Sequence, residues 1–100
     1  MSYKPLTESE VLADVRRMAA SNKLVWSAHA EDRLCERGLD REQIKACLLK
    51  GNFVNKPYVP NKPGEIQYEF KMKAKIDSEQ ISVVASLRPE KNLIIITVIK

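Results

Sequence analysis

Apolar residues recur at helical spacing in the first half of the chain and alternate at period two in the second half. Val11, Leu12, Val15, Met18 and Ala19 line one face of a helix from Glu8 to Ser21. Thr7 caps it, and Glu10, three residues on, completes a capping box. Asp14, Arg16 and Arg17 fall on the wet side. Lys23 to Trp26 reads as a short extended segment. Ser27 is an N-cap for a second helix, Ala28 to Arg37, and Gly38 supplies the positive φ that ends it. Asp40 and Gln43 start a third helix, which turns Ile44, Cys47 and Leu48 inward, runs to Lys50 and stops at Gly51.

Asn52 to Val59 is expected to hold a strand, with a loop at Pro60 and Pro63-Gly64. Glu65 to Ile76 alternates. Ile66, Tyr68, Phe70, Met72, Ala74 and Ile76 share one face, and Gln67, Glu69, Lys71, Lys73 and Lys75 share the other. A turn at Asp77 to Glu79 leads to a strand from Ile81 to Arg88, and a turn at Pro89 to Asn92 leads to the last strand. Leu93 to Ile99 is apolar on both faces, which predicts a central strand. Helices first and strands after give an α+β fold. The expected architecture is two to three N-terminal helices packed on one side of a mainly antiparallel sheet of about four strands.

Composition narrows this further. The 100 residues are expected to form a single domain, 1–100, with one modest core. No apolar run approaches the ~20 residues of a membrane span, and MSYKPLTESE lacks the apolar stretch of a signal peptide, so a cytoplasmic protein is expected. Cys35 and Cys47 lie beside apolar neighbours and read as two buried free thiols. One histidine and no C-x-x-C leave no plausible zinc set. A net charge of +4 biases the surface only mildly toward polyanions.

The candidate chemistry lies on the second helix. At 100° per residue, His29, Arg33 and Arg37 span an arc of only about 80°. Ala30 and Leu34 lie on the apolar side of that arc, and Asp32 and Glu36 flank it on the other. The stripe therefore sits where core meets solvent, which suits a polar group that must be held rigid and still touch a ligand. An imidazole there can move protons, and two guanidinium groups can hold a phosphate. On spacing alone a structural role comes first: Arg33 pairs with Glu36, and His29 bonds backbone near the helix start.

Lys71, Lys73 and Lys75 point one way at period two, either as a positive strip that tracks a nucleic-acid backbone or as a solvated face that blunts an edge strand. Thr97 is the one polar residue inside Leu93 to Ile99, and Arg88 ends the preceding strand near the same region.

The run SAHAEDRLCERGLDREQI from Ser27 to Ile44, then Gly51, then the closing IIITVI, resembles the bacterial domain of unknown function numbered 4258. The likeness covers roughly residues 24–99 and leaves the first helix as an addition. It implies kinship with the barnase–EndoU–colicin–RelE-like group of small metal-independent ribonucleases and toxins. It also implies a site that draws His29, Arg33, Arg37 and Thr97 together. The expected function is a ribonuclease-type toxin without metal or organic cofactor, acting on RNA or the ribosome and held by an antitoxin protein. Lys71, Lys73 and Arg88 would bind the RNA. Metal-free cleavage wants a second proton-transfer group, and Glu31, Glu69, Lys71 and Lys73 all stay open for it. The alternatives are a non-catalytic RNA- or ribosome-binding module and a protein-interaction domain.

Overall fold

The computed structural model describes residues 5–59 and 66–100. These residues form an α+β fold of three helices and a five-stranded mixed sheet. Helix α1 spans Glu8–Ala20 and is closed at its start by the Thr7/Glu10 capping box. Strand β1, Leu24–Trp26, leads into α2, Ala28–Arg37, through the N-cap Ser27. Gly38 ends α2 at φ 65, and Asp40 with Gln43 forms the capping box of α3, Arg41–Lys50. Strands β2 (Asn52–Phe53), β3 (Tyr68–Ile76), β4 (Glu79–Arg88) and β5 (Asn92–Ile99) follow. Their order in the sheet is β1-β5-β4-β3-β2.

Helices α1 and α3 pack on one face of the sheet. Val11, Val15 and Met18 from α1 and Ile44, Cys47 and Leu48 from α3 meet Phe70, Met72, Ile81, Val83, Leu87, Leu93 and Ile95 in one core. Hydrophobic burial over this layer is what holds the helices to the sheet. The opposite face carries no helix among the described residues.

Several expectations are corrected. The sheet has five strands rather than about four, because Leu24–Trp26 pairs in parallel with Leu93–Ile95 and makes the sheet mixed. That strand is too short to show a period. In place of a strand from Asn52 to Val59 there are two paired residues, Asn52 and Phe53, and an isolated bridge at Tyr58. Pro57 cannot donate to a ladder, which suits this break. Strand β3 starts at Tyr68, and Ile66 is exposed rather than core. Pro60, Pro63-Gly64 and Glu65 lie outside the described residues. Strand β5 lies inside the sheet, paired with β1 on one side and β4 on the other, as its apolar run predicts.

Arg16 also departs from the wet side of α1. It is half-buried, and its guanidinium donates to the carbonyl of Gly51 at 3.3 Å. It thereby satisfies a carbonyl at the C-terminus of α3. Cys47 is buried as expected, but Cys35 is exposed. On a helical wheel Cys35 lies well away from Ala30 and Leu34, the two residues of α2 that enter the core.

Strand β5 is irregular. Val84 pairs with Thr97 and Ala85 pairs with Ile95, so Ile96 is an extra residue, a bulge. Leu93, Ile95 and Val98 are buried, and Thr97 is not. Strict alternation from Leu93 would have put Thr97 in the core. The bulge reverses the phase and turns Thr97 to the helix-free face.

Candidate functional site

Helix α2 is fixed against β5 at its start. The backbone N–H of Ser27 donates to Ile95 O at 3.2 Å, and the Ser27 hydroxyl donates to Ile96 O at 3.1 Å. The same hydroxyl accepts from Ala30 N at 3.0 Å, as an N-cap should. Because β1 runs parallel to β5 and ends opposite Ile95, α2 continues along the second half of β5. At the far end Lys100 Nζ donates to Arg37 O at 3.4 Å. Gly38 then turns the chain into α3, with Leu39 N bonded to Leu34 O at 2.9 Å in a Schellman-type end.

The two flanks of α2 differ. Glu31 pairs with Arg41 of α3, and the Arg41 guanidinium lies 5.2 Å from the centre of the Trp26 ring. That flank is committed to holding α2 and α3 together. His29 and Arg33 occupy the other flank, turned away from α3 by the helical wheel. His29 is exposed, and Arg33 Nε donates to His29 Nε2 at 3.5 Å. Arg33 also donates to Glu36 at 2.6 Å, in the i,i+3 pair anticipated from spacing. Arg37 is exposed one turn further on, and its side chain makes no hydrogen bond or ion pair among the described residues.

The helix-free sheet face carries the other candidates. Lys71 pairs with Val84, and Val84 pairs with Thr97, so the three form one lateral row across β3, β4 and β5. Lys73, Ser82 and Ile99 form the next row. Asn52 of β2 stands beside Lys73. A groove of about 250 Å³ opens on this face, lined by Asn55, Lys56, Tyr58, Glu69, Phe70, Lys71, Val84 and Ile96. The bulge residue Ile96 thus lines the groove and receives the Ser27 hydroxyl on its carbonyl. One residue therefore connects the start of α2 to the basic side of the sheet.

Over residues 26–100 the chain matches the family described as Domain of unknown function (DUF4258). The chain belongs to this family. No curated protein and no solved structure matches the chain. The DUF4258 match takes in α2, α3 and the whole of β2 to β5, and it leaves α1 outside.

Within this DUF4258 fold the predicted site residues form two groups. His29, Arg33 and Arg37 are on α2, and Thr97, Lys71 and Lys73 are on the sheet. No hydrogen bond joins His29 to Thr97, and what connects the groups is the Ser27–Ile96 contact. Arg88 stands apart at the β4–β5 hairpin, paired with Asn92. The groove also uses residues that the sequence pattern did not bring forward, Tyr58 and Ile96 above all. Tyr58 sits in a proline-rich stretch that has no period, and Ile96 is hidden in an apolar run. Tyr58 is bridged to Glu69 by two backbone hydrogen bonds of 3.0 and 2.8 Å. A side-chain hydrogen bond to Glu69, and then the negative charge of that carboxylate, push the Tyr58 phenol above its ordinary value. No helix of the described residues is long and apolar enough to cross a membrane.

Proposed function

We propose that the protein is a metal-independent ribonuclease-type toxin whose site lies between the free flank of α2 and the helix-free face of the sheet. What carries this is the lateral row Lys71–Val84–Thr97, set beside a groove that the Ser27–Ile96 contact joins to α2. A cation, a hydroxyl and an apolar floor in one row suit an RNA backbone that passes over the sheet.

In this scheme the ribose 2′-hydroxyl attacks the adjacent phosphorus and the 5′-oxygen leaves. His29 moves a proton as acid or base. Arg33 and Arg37 hold the scissile phosphate and stabilise the charge that grows on it. The Thr97 hydroxyl donates to a phosphate oxygen, and Lys71, Lys73 and Arg88 track the flanking backbone. Glu69 lines the groove with Lys71 and would make the second proton transfer. RNA, free or on the ribosome, is the substrate, and an acidic antitoxin protein would cover the basic face.

The test is RNA cleavage by the purified protein in the presence of EDTA, with growth arrest on expression as the cellular counterpart. Wild type should cleave, and His29→Ala and Arg33→Ala should remain folded and lose activity. A wild type that cleaves no RNA and does no harm on expression overturns the proposal. Salt-dependent RNA binding without turnover would instead place the protein among non-catalytic RNA-binding modules.

A further inference from the structure

The sheet ends in β1, and one side of that strand is open. Lys23 O accepts from Leu93 N at 3.0 Å, and Ser27 N donates to Ile95 O at 3.2 Å. In a parallel ladder, residues that bond the neighbouring strand alternate with residues that face away from it. With Val25 in register with Ile94, the positions turned toward β5 are Lys23, Val25 and Ser27. The N–H and C=O groups of Leu24 and Trp26 therefore point outward, and no strand among the described residues pairs with them. From this edge and the cleft beside it we infer that β1 is a docking site for an extended, acidic segment of a partner protein, which joins the sheet as an added strand. The inference is independent of the RNA reading.

The backbone makes the first part of the case. An open edge accepts a strand from another chain unless something turns that strand away. Strand β1 is Leu-Val-Trp, with no proline, charge or bulge within it. Its two outward N–H and two outward C=O groups fit one short extended segment.

The side chains say which segment. Leu24 and Trp26 pair with the core residues Leu93 and Ile95, so they lie on the helix side of the sheet. Val25 lies on the other side and is 44% exposed. On the helix side a cleft of about 270 Å³ is lined by Asn22, Leu24, Trp26, Arg41, Glu42 and Lys45. Arg41 is already held by Glu31 and by the Trp26 ring. Lys45 is half-buried and makes no ion pair among the described residues. Glu42 is the one carboxylate that lines the cleft, against two cations. Successive residues of an added strand point to opposite faces. Those opposite Leu24 and Trp26 enter the cleft, where a carboxylate complements Lys45. The one opposite Val25 covers it, which suits an aliphatic side chain. The pattern that fits is acidic–aliphatic–acidic. A second copy of this chain fits less well. It would bring Leu24 and Trp26 to the cleft in place of a carboxylate, and a three-residue strand is a short seam for a stable dimer.

The experiment titrates nonapeptides into the protein and reads the fluorescence of Trp26, the only tryptophan in the chain. The first peptide carries glutamates on both sides of a central valine in a threonine background. The second has lysines in place of the glutamates. The third is the first with both glutamates N-methylated, which removes the N–H groups that would bond β1 and keeps the charge. The glutamate peptide should give a saturable change and bind about fivefold more tightly than the lysine peptide. N-methylation of the glutamates should weaken it about tenfold, and N-methylation of the valine alone, whose N–H faces away from β1, should cost little. Lys45→Glu should reverse the order of the first two peptides, with circular dichroism to check that the variant folds. No saturable change with the glutamate peptide overturns the proposal, as does equal binding of the peptide with N-methylated glutamates. A protein that sediments as a dimer and stays one in excess peptide gives the edge to a second copy, and that also overturns it.

Discussion

Lys71 and Thr97 stand in one row across three strands, with Val84 between them. Neither residue alone marks a site. Lysine blunts many sheet faces, and threonine is at home in strands. They share a face because of the bulge at Ile96, which shifts the second half of β5 by one residue. The same bulge leaves the Ile96 carbonyl to receive the Ser27 hydroxyl. One backbone irregularity thus sets both the direction of Thr97 and the anchoring of α2.

Ser27→Ala removes the cap on Ala30 N and the donor to Ile96 O together. Loss of an N-cap costs about 1 kcal/mol. The variant should melt lower and lose RNA affinity or activity by more than its stability loss explains, because α2 is no longer registered on β5. Ser27→Asp should restore the cap and not the bond to Ile96. If Ser27→Asp matches wild type in function, the Ile96 contact does not position α2.

Gly51 is held at a close approach. A Cβ on it would lie 2.5 Å from Cys47 O and 2.6 Å from Lys73 O, both backbone atoms that cannot swing away. Gly51→Ala should therefore destabilise by about 1–3 kcal/mol, the range for overpacking. For a chain of this size that lowers Tm by roughly 4–8 °C per kcal/mol. Thermal melts read it directly, and an unchanged Tm would mean the α3–β2 junction is looser than drawn.

The hairpin between β3 and β4 turns on Asp77 at φ 52 and Ser78 at φ 68. Both positions favour residues that tolerate left-handed backbone, with glycine best at the second. Ser78→Gly should stabilise by about 0.5–1 kcal/mol. Denaturant titration checks the sign, and destabilisation would contradict the turn geometry.

The two cysteines should behave differently. Cys35 is exposed and should react quickly with a thiol reagent at pH 8. Burial pushes the Cys47 thiol from 9.0 up to about 11, so it should react only on unfolding. The folded state then holds this proton more tightly than the unfolded chain. The associated stability is full below pH 9 and is lost as pH rises toward 11. Cys47→Ala should remove that part of the alkaline decline, and an unchanged decline would locate it elsewhere.

Much of this was legible in the residues. Thr7/Glu10, Ser27, Gly38 and Asp40/Gln43 are local signals with local causes, and each helix end lies where they put it. The alternation from Tyr68 to Ile76 set the core face of β3, and Tyr68, Phe70, Met72 and Ile76 are buried on it. What stayed hidden depends on distant partners. Leu24–Trp26 is a strand only because Leu93–Ile95 lies beside it. The bulge at Ile96 leaves no trace in a run of isoleucines. Tyr58 joins a groove because Glu69 captures its backbone across a proline-rich stretch. Arg16 is drawn in by a carbonyl from another helix.

The claim that α2 and the helix-free sheet face form one RNA site is tested most directly by amide chemical shifts. A pentaribonucleotide made uncleavable by a 2′-deoxy sugar at its central position would be titrated into isotope-labelled protein. Shifts should cluster at His29 and Arg33 together with Tyr58, Glu69, Lys71, Val84, Ile96 and Thr97, and leave the outer faces of α1 and α3 unmoved. Shifts confined to α1 and α3, or to the sheet without any response from α2, would contradict it.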